Sequence, residues 1–254
     1  MTRGRPSKWV LFPRPNPAAA LRLFCFHHAG GSGQHFYGWP AHLPSTVELG
    51  VIQLPGRGAR LGEPHMKRLL PLSRVLSQEL SEYLDRPFSF FGHSMGAVLC
   101  FETARCLRRE TLPQPAHLFL SATEAPHRRV RDEPVSGLPK EAFVEKLREY
   151  DGVPEEALQN DELLSLMLPT VRADFELYET YTYHPDCPLD CSMTVCGGLG
   201  DPRVDKERLA AWRDMTEGDC ALRMFPGGHF FIDSQQGAFL RILSEELLQL
   251  RLKS

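Results

Sequence analysis

No apolar run in this chain approaches the ~18 residues that a membrane-spanning helix needs, so no such span is expected. The first residues, MTRGRPSKWVLFPRPNP, carry basic side chains but no continuous apolar stretch or small-residue cleavage site, and no signal peptide is read there. Charge of one sign is also missing: 29 Lys and Arg stand against 32 Asp and Glu, a net charge of −3. Such a balance gives no footprint for nucleic acid. The seven cysteines are odd in number and contain no C-x-x-C pair, which fits free thiols in a reducing cytoplasm better than a disulfide framework. His184, Cys187, Cys191 and Cys196 fall close together, but two prolines stiffen that loop and Cys196 sits in an expected strand, so zinc is disfavoured. Internal repeats and low-complexity tracts are absent as well.

What is present centres on Phe88 to Leu107, FSFFGHSMGAVLCFETARCL. Phe88 to Phe91 suits a buried strand, and the apolar run after Gly96 suits a buried helix. Between them lies Gly92-His93-Ser94-Met95-Gly96, with glycine two residues either side of the serine. A sharp strand-to-helix turn needs that spacing, because a Cβ at either flank would crowd the backbone. The turn would present the Ser94 hydroxyl at a helix N-terminus, where N–H groups stabilise a developing anion. The competing reading, a glycine-rich turn with an incidental serine, is weakened by the strand and helix on either side.

A serine nucleophile needs a base, and the base an orienting acid, here in the order Ser, acid, His. Of the histidines after Ser94, only His229 follows a strand-like segment directly, Cys220 to Phe225, by way of Pro226-Gly227-Gly228. The acid is expected in the loop leaving Ser192 to Cys196, where Asp201 stands in GGLGDP. Asp201 also reads as a turn residue or a helix cap, and Asp205 and Asp233 compete for the role. Leu21 to Phe26 is the first central strand, and the loop after it, His27 to Gly33, is glycine-rich. No GK[ST] completes a nucleotide-binding pattern there. In a hydrolase this loop gives the second oxyanion N–H, assigned to Ala29, the first coming from Met95.

Further strands are expected at Trp9–Phe12, Glu48–Leu54 and Ala116–Ala122, and helices at Gln34–Leu43, Leu72–Leu84, Val204–Met215 and Ser234–Leu250. Residues 126–188 contain no strand pattern but four helical segments: Lys140–Glu149, Glu155–Leu158, Asp161–Leu168 and Thr170–Tyr183. An insertion of that length is usually functional and is read as a helical lid over the strand ends, with side-packed helices as the alternative. Val171, Phe175, Tyr178 and Thr182 form its expected apolar stripe, with Asp174 off it. Arg57, Arg60, Arg128, Arg129 and Arg131 are read as a basic rim. The chain as a whole, 1–254, is expected to form one α/β domain with a mostly parallel central sheet flanked by helices.

Taken together, LFCFHHAGGS, QLPGRGAR, FGHSMGA, LPTVRADFELYETYTY, GLGD and GGHFF, in that order, resemble the type II thioesterases. These are the free-standing editing hydrolases of polyketide and non-ribosomal peptide synthases. His27 and Gly58 depart from that pattern, at places where proline and glutamate are common. The resemblance implies an α/β-hydrolase fold, a Ser94–Asp201–His229 triad and no metal or organic cofactor. It further implies acyl groups carried on the phosphopantetheine arm of an acyl or peptidyl carrier protein. A carboxylesterase or lipase with the same triad, and a carrier-binding module without activity, are the other readings.

Overall fold

The protein is described as a computed structural model, covering residues 7–129, 133–150, 152–153 and 155–253. Seven strands form one sheet: β1 (Val10–Leu11), β2 (Leu21–Phe26), β3 (Val47–Ile52), β4 (Phe88–His93), β5 (His117–Ser121), β6 (Ser192–Gly198) and β7 (Cys220–Phe225). Their order across the sheet is β1-β3-β2-β4-β5-β6-β7, and only β1 runs antiparallel to its neighbour. The central strands are buried on both faces, which is why they read as unbroken apolar runs rather than alternating ones.

Alternation along each strand divides the core in two. Phe24, Phe26, Phe88 and Phe90 face a cluster shared with helices α1 (Leu69–Ser81) and α2 (Met95–Arg109). Leu21, Leu23, Cys25 and Phe91 face the cluster on the other side, filled by Trp39 and by Phe239, Leu240 and Leu243 from the C-terminal helix.

Between β5 and β6 the chain builds α3 (Lys140–Glu149), α4 (Glu155–Leu158) and α5 (Asp161–Glu179). Their apolar faces make a third, separate cluster around Phe143, Leu147, Leu164 and Leu168. After β6 come α6 (Lys206–Ala210), and, following β7, α7 (Phe231–Ser234) and α8 (Gln236–Lys253).

Three expectations are corrected here. The helix expected over Gln34–Leu43 is two short 3-10 turns, Gly33–Phe36 and Trp39–Ala41, with Pro40 opening the second. The helix at Val204–Met215 is one short turn of α6 that tightens into a 3-10 turn over Ala211–Met215. The segments expected at Asp161–Leu168 and Thr170–Tyr183 are a single helix, Asp161–Glu179, which ends four residues short of Tyr183 and which Pro169 interrupts only by removing one N–H.

Candidate active site

Ser94 sits at φ 54° and ψ −120°, a conformation that side chains avoid unless the surroundings impose it. Its neighbours impose it. A Cβ at Gly92 would lie 2.2 Å from the Gly96 carbonyl oxygen, and one at Gly96 would lie 2.3 Å from that of Phe26. Strand, turn and helix are therefore pressed together as no other residue would allow. The Ser94 N–H donates to the Ser121 carbonyl at 2.7 Å, fixing the turn to β5. Met95 opens α2, so its N–H has no carbonyl four residues back within the helix. The close approach of Gly96 to the Phe26 and His27 carbonyls brings the end of β2 and the start of the loop after it against the same helix end.

The other two residues are brought together by two loops zipped side by side. Leu199 N–H donates to the Phe225 carbonyl and Gly200 N–H to that of Gly227, both at 2.8 Å. A Cβ at Gly198 would lie 2.2 Å from the Gly228 carbonyl oxygen. The approach leaves Asp201 Oδ2 2.8 Å from His229 Nδ1, while Asp201 Oδ1 accepts from Arg203 N–H at 2.9 Å. Burial opposes ionisation of Asp201, but the His229 hydrogen bond and charge, with Arg203, outweigh it and hold the carboxyl below its ordinary value. His229 Nε2 is buried without a hydrogen-bond partner among the described residues. Its ring packs 5.3 Å from that of His93, the residue before Ser94.

The competitors for the acid are occupied elsewhere. Asp205 caps α6, accepting from Arg208 N–H at 2.8 Å. Asp233 lies half-exposed, 3.3 Å from His35. Beside the site is a cavity of about 460 Å³, walled by His28, His35 and Phe230 on one side and by Arg148, Val153 and Glu155 of the insertion on the other. The insertion thus shares this cavity with His28 and Phe230, the neighbours in sequence of Ala29 and His229.

Two buried carboxylates were not read as structural from the sequence. Asp174 of α5 holds Arg57 through two contacts, 2.6 and 2.7 Å. Glu102 of α2 accepts from Tyr181 at 2.7 Å and pairs with Arg105, which reaches the His184 carbonyl. The buried stripe of α5 is shifted from the expected one: Leu164, Leu168, Val171, Asp174 and Leu177 face inward, and Phe175 is only partly covered. An aspartate three residues from both Val171 and Leu177 was the available signal. The basic rim also fails: Arg57 and Arg60 are buried, and Arg129 lies 3.8 Å over the Tyr178 ring, donating to that residue's carbonyl. Arg128 is exposed, and Arg131 lies outside the described residues. Among the described residues, no three His, Cys, Asp or Glu side chains are grouped to hold a metal, the cysteines are free, and no helix is long and apolar enough to cross a membrane.

Sheet order, elbow and zipped loops are those of an α/β hydrolase. Comparison with known sequences narrows the class. The profile of the thioesterase domain family matches residues 21–247, and the chain belongs to that family of thioester hydrolases. It is 39% identical to a Brevibacillus parabrevis protein named linear gramicidin dehydrogenase LgrE, over 97% of this chain and 95% of that one. That name denotes a redox activity, yet no G-x-G-x-x-G stretch for a dinucleotide occurs here. Among solved structures, the RedJ thioesterase of the prodiginine pathway in Streptomyces coelicolor superposes with a TM-score of 0.86 at 37% identity, over 91% of this chain and 92% of its own. BorB, the type II thioesterase of the borrelidin cluster, gives 0.88 at 34%, over 96% and 99%.

Proposed function

We propose that this chain is a type II thioesterase that removes acyl groups from the phosphopantetheine arm of acyl or peptidyl carrier proteins, clearing aberrant or stalled units during polyketide or non-ribosomal peptide synthesis. The observation that carries the reading is the Asp201–His229 pair, with His229 Nε2 unpartnered beside a serine held in a nucleophile's strained turn. Relatives from antibiotic pathways support the substrate class.

In this reading Ser94 Oγ attacks the thioester carbonyl carbon, and His229 Nε2 takes its proton. Asp201 holds the ring in the tautomer with Nδ1 protonated and stabilises the imidazolium. The Met95 and Ala29 N–H groups receive the oxyanion. Collapse expels the thiolate, which takes the proton from His229. Because a thiolate leaves readily, acid assistance matters less here than for an amide. Water, giving a proton to His229, then attacks the acyl-serine; the carboxylic acid is released as His229 returns that proton to Ser94 Oγ. Residues 126–188 act as a lid within a single hydrolase domain.

A panel of acyl-carrier proteins differing in chain length and branching, set beside p-nitrophenyl esters, tests the proposal. Carrier thioesters turned over with the higher kcat/KM support it. Simple esters favoured over every carrier thioester would make the chain a carboxylesterase instead, and no turnover with no fluorophosphonate label on Ser94 would leave only a binding module.

A further inference from the structure

The loop that offers Ala29 is not held by the sheet alone. Gly30, the next residue, donates its N–H to Asp174 Oδ2 at 2.7 Å. The same oxygen takes a guanidinium N–H of Arg57 at 2.6 Å, and the other carboxylate oxygen takes a second at 2.7 Å. Arg57 in turn donates to the Gly31 carbonyl at 2.9 Å. Two peptide units of the loop are therefore gripped by one ion pair, Ala29–Gly30 through its N–H and Gly31–Ser32 through its C=O. Both charges are almost fully withdrawn from water, where hydrogen bonds to ions are strongest and least adaptable.

Packing points the same way. Gly30 has φ +78°, and a Cβ there would meet Val171 Cγ2 at 3.2 Å. Val171 and Asp174 lie about one turn apart on α5, so a single face of this inserted helix both covers and hydrogen-bonds the loop. Thr170, beside them, donates to the Gly56 carbonyl at 2.8 Å and meets His65 Nε2 at 3.0 Å, fixing the loop that carries Arg57.

We propose that Asp174 is a positioning residue for the oxyanion hole: with Arg57 it sets the Ala29–Gly30 and Gly31–Ser32 peptides and thereby aims the Ala29 N–H at the place where the thioester oxygen becomes an anion. The inference rests on the proposed acyl-transfer reading and adds to it a dependence of the hole on the inserted helix. If α5 lifts away, the hole loses one of its donors.

Asp174→Asn breaks the charge pairing, and Arg57→Met with Asp174→Leu removes both charges, so that no ion is left buried alone. For each folded variant, kcat and KM are measured with an acyl N-acetylcysteamine thioester. Binding is measured for a trifluoromethyl ketone and for the matching methyl ketone. The trifluoromethyl ketone takes Ser94 Oγ at its carbonyl carbon, gives the hydroxyl proton to His229 and leaves an oxyanion; the methyl ketone stays a ground-state mimic. Misaiming one donor is expected to lower kcat about 10²-fold, by comparison with loss of such a donor elsewhere. KM should stay within about threefold, and affinity for the trifluoromethyl ketone alone should fall by a similar factor to kcat. A double variant that folds and keeps its preference for the trifluoromethyl ketone over the methyl ketone overturns the proposal, as does equal weakening of both. Absence of thioester turnover in the wild type would count against the proposed function instead, and the ketone ratio would still decide the role of Asp174.

Discussion

Alanine at position 94 would remove one hydroxyl and leave the φ 54° turn, which the glycines on either side impose, as it is. Ser94→Ala is therefore expected to fold with an unchanged melting temperature and to lose on the order of 10⁴ to 10⁶ in kcat; near-normal turnover would remove the nucleophile from the proposal. Asp201→Asn should cost on the order of 10³ or more, through the wrong imidazole tautomer, whereas Asp205→Asn disturbs only the α6 cap. Large loss at 205 with little at 201 would reassign the acid. His27 gives a pH prediction. Burial, aided by the Arg57 charge, lowers its pKa to about 4, and burial lowers His28 and His93 well below the usual value too. These rings are neutral in the native state and take up protons on unfolding below about pH 6.5, so their contribution is whole above that pH and declines as pH falls toward 4, on the order of 3 kcal/mol for His27 alone. Urea titrations between pH 7.5 and 4.5 should show the decline, and His27→Gln should flatten it; an equally steep curve in that variant would show that His27 is not a source of it. The three residues proposed as serine nucleophile, acid and base could be picked out because each follows a strand in a fixed chain order, and the structure sets two of them, Asp201 and His229, 2.8 Å apart. Asp174 was not, since a pattern of apolar residues assigns a polar one to solvent unless its partner, 117 residues away, is known.

Element boundaries follow the same logic. The strands β2 and β7 and the helices α3 and α4 were readable to the residue, because turn residues or charge changes bracket them. Pro169 was read as a break, but the missing N–H costs one hydrogen bond while apolar contacts on both sides keep α5 continuous. That placement divides the insertion. α3, α4 and α5 as far as Val171 and Phe175 pack around their own cluster, whereas Leu177 and Tyr181 belong to the main core, and Thr170 and Asp174 are bonded to the core loops. Pro154, between the expected α3 and α4, lies outside the described residues. Within the proposed lid of residues 126–188, the part expected to move most is thus the one before Pro169, since Thr170 and Asp174 tie the rest of α5 to the core loops. Hydrogen exchange should be fast in α3, α4 and residues 161–168, and slow in 174–179 as in α2. An acyl-phosphonate on Ser94 should slow the first group only. Uniform protection along the whole of α5, unaltered by the adduct, would make the insertion scaffold rather than lid.

At the scale of the molecule, the question is what would bring a carrier protein to the site. Carrier proteins are generally acidic around the phosphopantetheine, and this chain is itself slightly acidic, at −3. Long-range steering needs a concentrated patch of opposite sign. The sequence offered five arginines for one, but Arg57 is spent on the buried Asp174, Arg60 on the partly exposed Glu63, and Arg129 on the Tyr178 ring and backbone. Charges satisfied inside the protein project little field; among the described residues only Arg128 of the five is left exposed, Arg131 lying outside them, and a single exposed charge is screened within about 8 Å at physiological salt. Recognition of a carrier should therefore come from contact at the site's rim and act on the lifetime of the complex rather than on the rate of encounter. The expected result is a kcat/KM for an acyl-carrier substrate that changes less than about threefold between 50 and 300 mM salt, against the tenfold or greater falls typical of steered association. Arg128→Glu should have a similarly small effect, and turnover of an uncharged acyl N-acetylcysteamine thioester should be unaffected by either. A tenfold fall confined to the carrier substrate would restore electrostatic docking and direct attention to the positive side chains around Arg128.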